Sequence, residues 1–230
     1  MTIARGPYEP PQRIAPLTPE ERATVEAFHR LYYSRWRAGD GTIDLSWMGH
    51  QLLKFPGDLW MYQEIIVRRR PDVIIECGTF KGGSALFLAS ICDLIGHGRI
   101  VSIDMNGQLE RPAHPRVEYL TGSSVDPNIA TRAISGIALG AEVLVILDSA
   151  HECAHVSQEL ALYAPMVLPG GYMVVEDTNL NGHPVTPEYG PGPHEAVEAF
   201  LASHSEWERD ASAERFLMTL QPGGYLRRRT

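Results

Sequence analysis

Residues 73–84 read Val73-Ile74-Ile75-Glu76-Cys77-Gly78-Thr79-Phe80-Lys81-Gly82-Gly83-Ser84, and few architectures accommodate them. Val73, Ile74 and Ile75 form a β-branched run with a strand's preference. Gly78, Gly82 and Gly83 mark a turn, and Ala85 to Ile91 reads as a buried helix. Strand, glycine turn and helix make the first unit of an open α/β sheet. Glycines in such a turn let a ligand approach the backbone, and free N–H groups at the helix start attract an anionic group. The spacing is Glu-x-Gly-x-x-x-Gly, not the Gly-x-Gly-x-x-Gly of dinucleotide enzymes. An ordinary strand-to-helix turn is the competing explanation.

About twenty residues on, Arg99 to Asp104 forms a second apolar strand that ends in an acid. In open α/β nucleotide sites such an acid accepts hydrogen bonds from ribose hydroxyls; the alternative for Asp104 is a helix cap. Three further strands are expected. Arg116–Thr121 ends in Gly122-Ser123-Ser124, Val143–Asp148 is almost wholly apolar, as a central parallel strand should be, and Tyr172–Asp177 follows a Pro169-Gly170-Gly171 turn. Helices are expected over 59–69, 127–138, 151–167 and 195–203. Residues 215–220 and 225–227 read as closing strands around a Gln221-Pro222-Gly223-Gly224 turn.

The N-terminus is organised differently. Residues 1–17 are proline-rich and read as an arm. Thr18-Pro19-Glu20-Glu21 starts a helix that runs to about Arg37 and stops at Gly39-Asp40-Gly41. The expected division is residues 1–45 as arm and helix, and 46–230 as one α/β domain. The aromatic segments 46–50 and 55–60 read as loops that line a small-molecule site or cover the sheet end. Residues 178–193 hold three glycines and four prolines, so a functional loop, commonly a lid, is expected there.

A net charge of -8 argues against a duplex nucleic-acid partner. No apolar run approaches the roughly 20 residues of a membrane span, and the N-terminus lacks a signal peptide's apolar segment. A cytoplasmic protein is expected. The three cysteines, Cys77, Cys92 and Cys153, have no paired spacing and read as reduced, buried thiols.

The chemistry is expected where the strands ending at Asp148 and at Glu176-Asp177 lie side by side. Asp148, Glu176 and Asp177 then converge at the carboxyl edge of the sheet, where ligands of open α/β folds bind. Carboxylates so close repel, so one is protonated or a cation sits between them. Three hard oxygen ligands suit Mg²⁺; the alternative is one acid capping a helix and another facing solvent.

These residues resemble a class I S-adenosylmethionine-dependent methyltransferase. Glu76, Gly78 and Gly82 match that family's first motif, with Thr79 and Gly83 in the same turn, and Asp104 matches its ribose-binding acid. The resemblance implies a Rossmann-like fold with a mostly parallel seven-stranded sheet and helices on both faces. It also puts Ser123 and Ser124 beside the adenine. The acids look like those of the divalent-cation-dependent O-methyltransferases, in which Ser84 would contact the methionine carboxylate and Asp148 would border both cofactor and metal. A basic residue three positions after the strand-end acid is that group's general base, and here it is His151. A neutral imidazole is a competent base near pH 7.

A closer similarity, over residues 46–229, is to the cephalosporin hydroxylase (CmcI)/rhamnosyl O-methyltransferase family. It rests on Trp47-Met48-Gly49, Asp58-Leu59-Trp60, Gly82-Gly83-Ser84, Leu147-Asp148-Ser149, Glu176-Asp177-Thr178-Asn179 and Gly224-Tyr225-Leu226. It implies S-adenosylmethionine and Mg²⁺ as cofactors, with the metal on Asp148, Glu176 and Asp177. The acceptor it implies is a sugar hydroxyl of a natural product or nucleotide sugar. A phenolic or β-lactam-derived hydroxyl is the alternative, as is a non-catalytic cofactor-binding regulator. His155 and His183 remain, the first as a partner for His151 or a packing residue, the second as a rival base. Homo-oligomers are expected, because residues 1–17 and 178–193 show no obvious intrachain partner and the resembled family tends to associate.

Overall fold

The computed structural model describes residues 2–9, 11, 14–39, 41 and 44–230. Asp40, part of the expected helix stop, lies outside them. Helix α1 (Pro19–Ala38) begins with a capping box: Thr18 Oγ1 accepts from the Glu21 N–H, and the Glu21 carboxylate accepts from the Thr18 N–H. Gly39 ends it in the left-handed conformation at φ 62.

After α1 come a short antiparallel hairpin, β1 (Leu45–Trp47) and β2 (His50–Leu52), and helix α2 (Pro56–Arg69). The hairpin corrects the loop expected at 46–50. Trp47 packs edge-to-face on Phe87 and donates to Ser90, so it anchors the hairpin rather than lining a site. Then follow β3 (Val73–Cys77), α3 (Gly83–Ile95), β4 (Arg99–Asp104), β5 (Val117–Thr121), α4 (Pro127–Ile134), β6 (Val143–Leu147) and α5 (Cys153–Tyr163). The chain finishes with β7 (Tyr172–Val175), α6 (Pro193–Ser203), β8 (Trp207–Arg209) and β9 (Tyr225–Arg228).

Seven strands form one sheet in the order β5-β4-β3-β6-β7-β9-β8. The first five in that row run parallel, while β9 pairs antiparallel with β7 and with β8. The central strands β3 and β6 are buried at every position, which explains their unbroken apolar sequence. Separate apolar clusters cover the two faces. One joins α4, α5 and α6 to β3, β6 and β7; the other joins α2 and α3 to the same strands.

Two expected elements are displaced. Residues 215–220 form no strand, and the outer strand is β8 instead, paired through Glu208 with Arg227. Phe216 and Leu217 are exposed, so the apolar run there is not a core strand. Helix α5 starts at Cys153 rather than at 151, and α4 stops at Ile134, just before Gly136 at φ 74. Cys77 and Cys92 are buried free thiols, whereas Cys153 is only half-buried.

Of the two segments expected to lack intrachain partners, the loop at 178–193 has them, and the arm is joined to the body by a backbone hydrogen bond. The Ile3 N–H donates to the Leu94 carbonyl at the end of α3. Within 178–193, Asn179 bonds the buried His29 of α1, and Leu180 and Val185 pack on Tyr33. That loop is tied to α1, whereas the described residues of the arm are mostly exposed. No helix among the described residues is long and apolar enough to cross a membrane.

Candidate active site

Strand order reverses at β3: the chain moves out through β4 and β5, then returns to place β6 on the other side of β3. Ligands of open α/β sheets bind at the carboxyl edge beside such a switch point. Here the two strand ends are joined directly, the Asp148 N–H donating to the Cys77 carbonyl at 2.8 Å. Gly78 follows at φ 98, and a cavity of about 550 Å³ opens above it.

On one side of the cavity lie Gly78, Thr79, Gly83, Ser84, Asp104, Ser123 and Ser124. Asp104 Oδ2 accepts from the backbone N–H groups of Thr79 (3.1 Å) and Phe80 (2.7 Å), and Oδ1 accepts from Asn106 N–H. The acid therefore holds the turn in shape, and its spare lone-pair capacity leaves room for a hydroxyl donor. Gly82 does not border the cavity; it caps α3 at φ 76, against Tyr119. Glu76 is fully buried beneath the turn, where its Oε2 accepts from Ser102 at 2.5 Å. Burial raises its pKa, and its Oε1 has no partner. An orphaned buried acceptor at the glycine turn is what a cofactor amine would satisfy.

Asp148, His151 and Asp177 also border the cavity, half-buried, with one donor atom of each within 4.8 Å of the others. His151 Nε2 lies 3.2 Å from Asp177 Oδ2. Asp177 sits just past β7 at φ 54, a conformation that costs a non-glycine residue about 1–3 kcal/mol and that recurs at functional sites. Burial pushes the Asp148 carboxyl up to about 6, and raises that of Asp177.

Glu176 is not in that group. It is buried, and its Oε1 accepts from Tyr62 Oη and from Lys54 Nζ, each at 2.5 Å. Burial pushes it up to about 7, with the Asp148 charge adding to the effect. Lys54, which was not anticipated, is the unexpected member of the site. Its side chain is 3% exposed, and its ammonium also donates to Asp148 Oδ2 at 2.5 Å. Burial would lower its pKa, but the Asp148 and Glu176 charges outweigh that and keep it cationic. The signal for Lys54 was a lone charge inside the apolar run Leu52-Leu53-Lys54-Phe55.

Of the two remaining histidines, His155 borders the cavity and His183 does not. His155 Nε2 is 3.1 Å from both Ser124 Oγ and Ser149 Oγ and 3.5 Å from Glu159, so it ties the serine loop to α5 instead of orienting His151. His183 pairs with Glu195 at 3.0 Å, stacks on His194 and does not border the cavity. The aromatic side chains that do border it are Phe80 and Trp36 of α1, not those of 46–60.

The model of the rhamnosyl O-methyltransferase/CmcI family matches residues 41–229. The chain belongs to this family. A rhamnosyl O-methyltransferase of Mycobacterium leprae is 37% identical over 212 residues, 89% of this chain and 90% of that protein. Its counterpart in Mycobacterium tuberculosis strain H37Rv is also 37% identical, over 89% of this chain and 84% of its own length. Among solved structures, cmcI-D160 Mg-SAM superposes with a TM-score of 0.62 at 19% identity, covering 100% of this chain and 92% of that one. The O-methyltransferase TomG from Streptomyces achromogenes gives 0.53 at 19%, covering 83% and 81%.

The fold is that of class I methyltransferases, and the chain is an S-adenosylmethionine-dependent O-methyltransferase. Changing Asp104 to Ala removes an acceptor for three backbone donors and tests its expected role as the ribose-binding acid. Cofactor affinity measured by calorimetry should fall by about 1–3 kcal/mol. Unchanged affinity would refute the ribose assignment.

Proposed function

We propose that this enzyme methylates a hydroxyl of a sugar, carried on a natural product or nucleotide, with the help of a divalent cation. One observation carries the proposal: the glycine turn and the Asp148–His151–Asp177 group border a single cavity. The sugar class comes from the relatives named rhamnosyl O-methyltransferase.

The residues present fit both groups. Glu76, Gly78, Thr79, Gly83, Ser84 and Asp104 bind the cofactor, with Ser123 and Ser124 at the adenine end and Gly82 shaping the turn. S-adenosylmethionine, when bound, supplies an electrophilic methyl group on a sulfonium. Asp148 and Asp177 offer hard oxygen donors, and burial raises the pKa of both, so a cation beside them would favour their charged forms. A cation such as Mg²⁺ is commonly held by one or two carboxylates plus water, and when bound it lowers the pKa of a hydroxyl beside it. His151 is assigned the base rather than a third ligand, because an imidazole is a poorer donor for Mg²⁺ than water or carboxylate. It takes the acceptor's proton, and Asp177, 3.2 Å from its Nε2, stabilises the imidazolium. The cavity walls, including Trp36, hold the hydroxyl in line with the methyl group.

The test offers the enzyme S-adenosylmethionine, Mg²⁺ and a panel of rhamnosides, nucleotide sugars, catechols and β-lactams, with methylation read by mass spectrometry. Methylation of sugars alone is expected, and methylation of only the phenols or β-lactams would overturn the acceptor class. Chelation with EDTA should abolish turnover and added Mg²⁺ restore it; full turnover after exhaustive chelation would remove the cation from the scheme.

A further inference from the structure

We propose that His155, held by the buried Glu159, is a positioning residue for the cofactor: its Nε2–H bonds the Ser124 oxygen and leaves the Ser124 hydroxyl free to donate to a ring nitrogen of the adenine. The proposal rests on the placement of Ser124 at the adenine end given above, and it is independent of the cation and of the acceptor.

Helix α5 holds Ser124 at two points. Tyr163 Oη donates to the Ser124 carbonyl at 2.7 Å, and about two turns earlier on the helix His155 Nε2 lies 3.1 Å from Ser124 Oγ. Ser124 is 3% exposed, yet it lines the cavity together with Ser149 and His155. A buried hydroxyl fixed at backbone and side chain has few orientations open to it, so its neighbours decide where its proton points.

That direction follows from counting protons. Glu159 stands one turn after His155 on α5, fully buried, and its Oε1 accepts the Ser149 hydroxyl at 2.7 Å. The single proton of Ser149 is thereby committed, so His155 Nε2, 3.1 Å from Ser149 Oγ, meets a lone pair there. Nε2 also lies 3.5 Å from Glu159 Oε1. A ring nitrogen that faces a hydroxyl lone pair and a carboxylate carries a proton. Glu159 Oε2 has no hydrogen-bond partner, so the buried carboxylate depends on the imidazole for compensation. The Glu159 hydrogen bond raises the His155 pKa despite burial, and the Glu159 and Glu152 charges add to the rise.

The Nε2 proton is shared between the two serine oxygens, each 3.1 Å away. Ser124 Oγ is therefore an acceptor toward His155, and its own proton points elsewhere. Ser149 Oγ, at 3.4 Å, is a poor target for it, so the cavity receives it. A bare Nε2 would instead take the Ser124 proton, and the cavity would meet only lone pairs. The ring nitrogens of adenine are acceptors, so the donor form is the one that fits.

The test titrates the full chain with S-adenosylhomocysteine and with its three deaza analogues, by calorimetry and without metal or acceptor. Each analogue replaces N1, N3 or N7 of the adenine by C–H. The wild type should bind at least one of them about fivefold more weakly than the parent, the worth of a neutral hydrogen bond. One such penalty should disappear in Ser124→Ala and in His155→Leu, which fills the space without an N–H. It should persist in His155→Gln, whose amide supplies the donor. Affinity for the parent should fall about fivefold in Ser124→Ala, equally in His155→Leu, and no further in the double variant. If Ser124→Ala binds the parent like wild type and keeps every penalty, the adenine placement of Ser124 fails and this inference with it. If Ser124→Ala abolishes a penalty that His155→Leu keeps, the placement stands and the inference alone fails. Loss of the penalty in His155→Gln also overturns it, since the N–H would then not be what matters. Should His155→Leu not fold, Glu159→Gln decides. Without the carboxylate charge the Nε2 proton is held less firmly, and the penalty should shrink by about twofold or more. An unchanged penalty in that variant overturns the inference.

Discussion

Replacing His151 with Ala should cut the rate of methyl transfer by about 10²–10⁴-fold, the range of a lost general base. His151 stands three residues beyond Asp148 in the short stretch before α5, at the cavity wall and next to Asp177. The effect should fall on kcat, because proton removal belongs to the chemical step. Calorimetry should show S-adenosylhomocysteine binding almost unchanged, since His151 pairs with Asp177 and not with a residue of the glycine turn. His183→Ala is the control. That side chain is held by Glu195 and His194 away from the cavity, so its loss should leave most of the rate. A His151→Ala enzyme with most of its turnover would show that the proton leaves by another route.

The parts of this arrangement that were legible in the sequence are those decided locally. Val143 to Leu147 is apolar at every position because both faces of β6 are covered. Gly78 and Gly82 are glycines because both sit at positive φ. Asp104, Asp148 and Asp177 end or follow strands, and parallel neighbours bring strand ends together whatever the loops do. What was missed depends on distant partners. The β1–β2 hairpin consists of two three-residue strands, too short for alternation to show, and the signal was the Met48-Gly49 pair at φ 50 and 84. Trp207 to Arg209 became the outer strand, in place of the more apolar 215–220, because β9 selects its partner by pairing. The separation of Glu176 from Asp177 was equally unreadable. Adjacent residues at a strand end point to different sides, and only the folded chain shows that one meets Lys54 and Tyr62 while the other meets the cavity.

Gly78→Ala should be the most damaging single change, lowering cofactor affinity by at least about 100-fold, or nearly 3 kcal/mol. A Cβ at position 78 would stand 1.7 Å from the Asp148 carbonyl oxygen, 2.5 Å from its carbon and 3.0 Å from the Ser149 nitrogen. All three are backbone atoms, so no rotamer change relieves the clash. The neighbouring backbone cannot give either, since β3 and β6 pair in register up to Cys77 and Leu147, and Asp148 N–H is bonded to Cys77. The φ of 98 adds strain for any side chain. The turn must then leave the sheet edge, or β6 must shift and carry Asp148 with it. Either movement dismantles the cofactor turn and the acid group together, because this contact is where they meet. Gly140→Ala separates sterics from conformation: Gly140 has φ 83 with nothing within 4 Å, so it should cost about 1 kcal/mol of stability and no cofactor affinity. Calorimetric titration with S-adenosylhomocysteine and denaturant unfolding of both variants make the comparison. A Gly78→Ala protein that bound the cofactor as tightly as the Gly140→Ala protein would mean that the two strand ends do not need this contact to form the site.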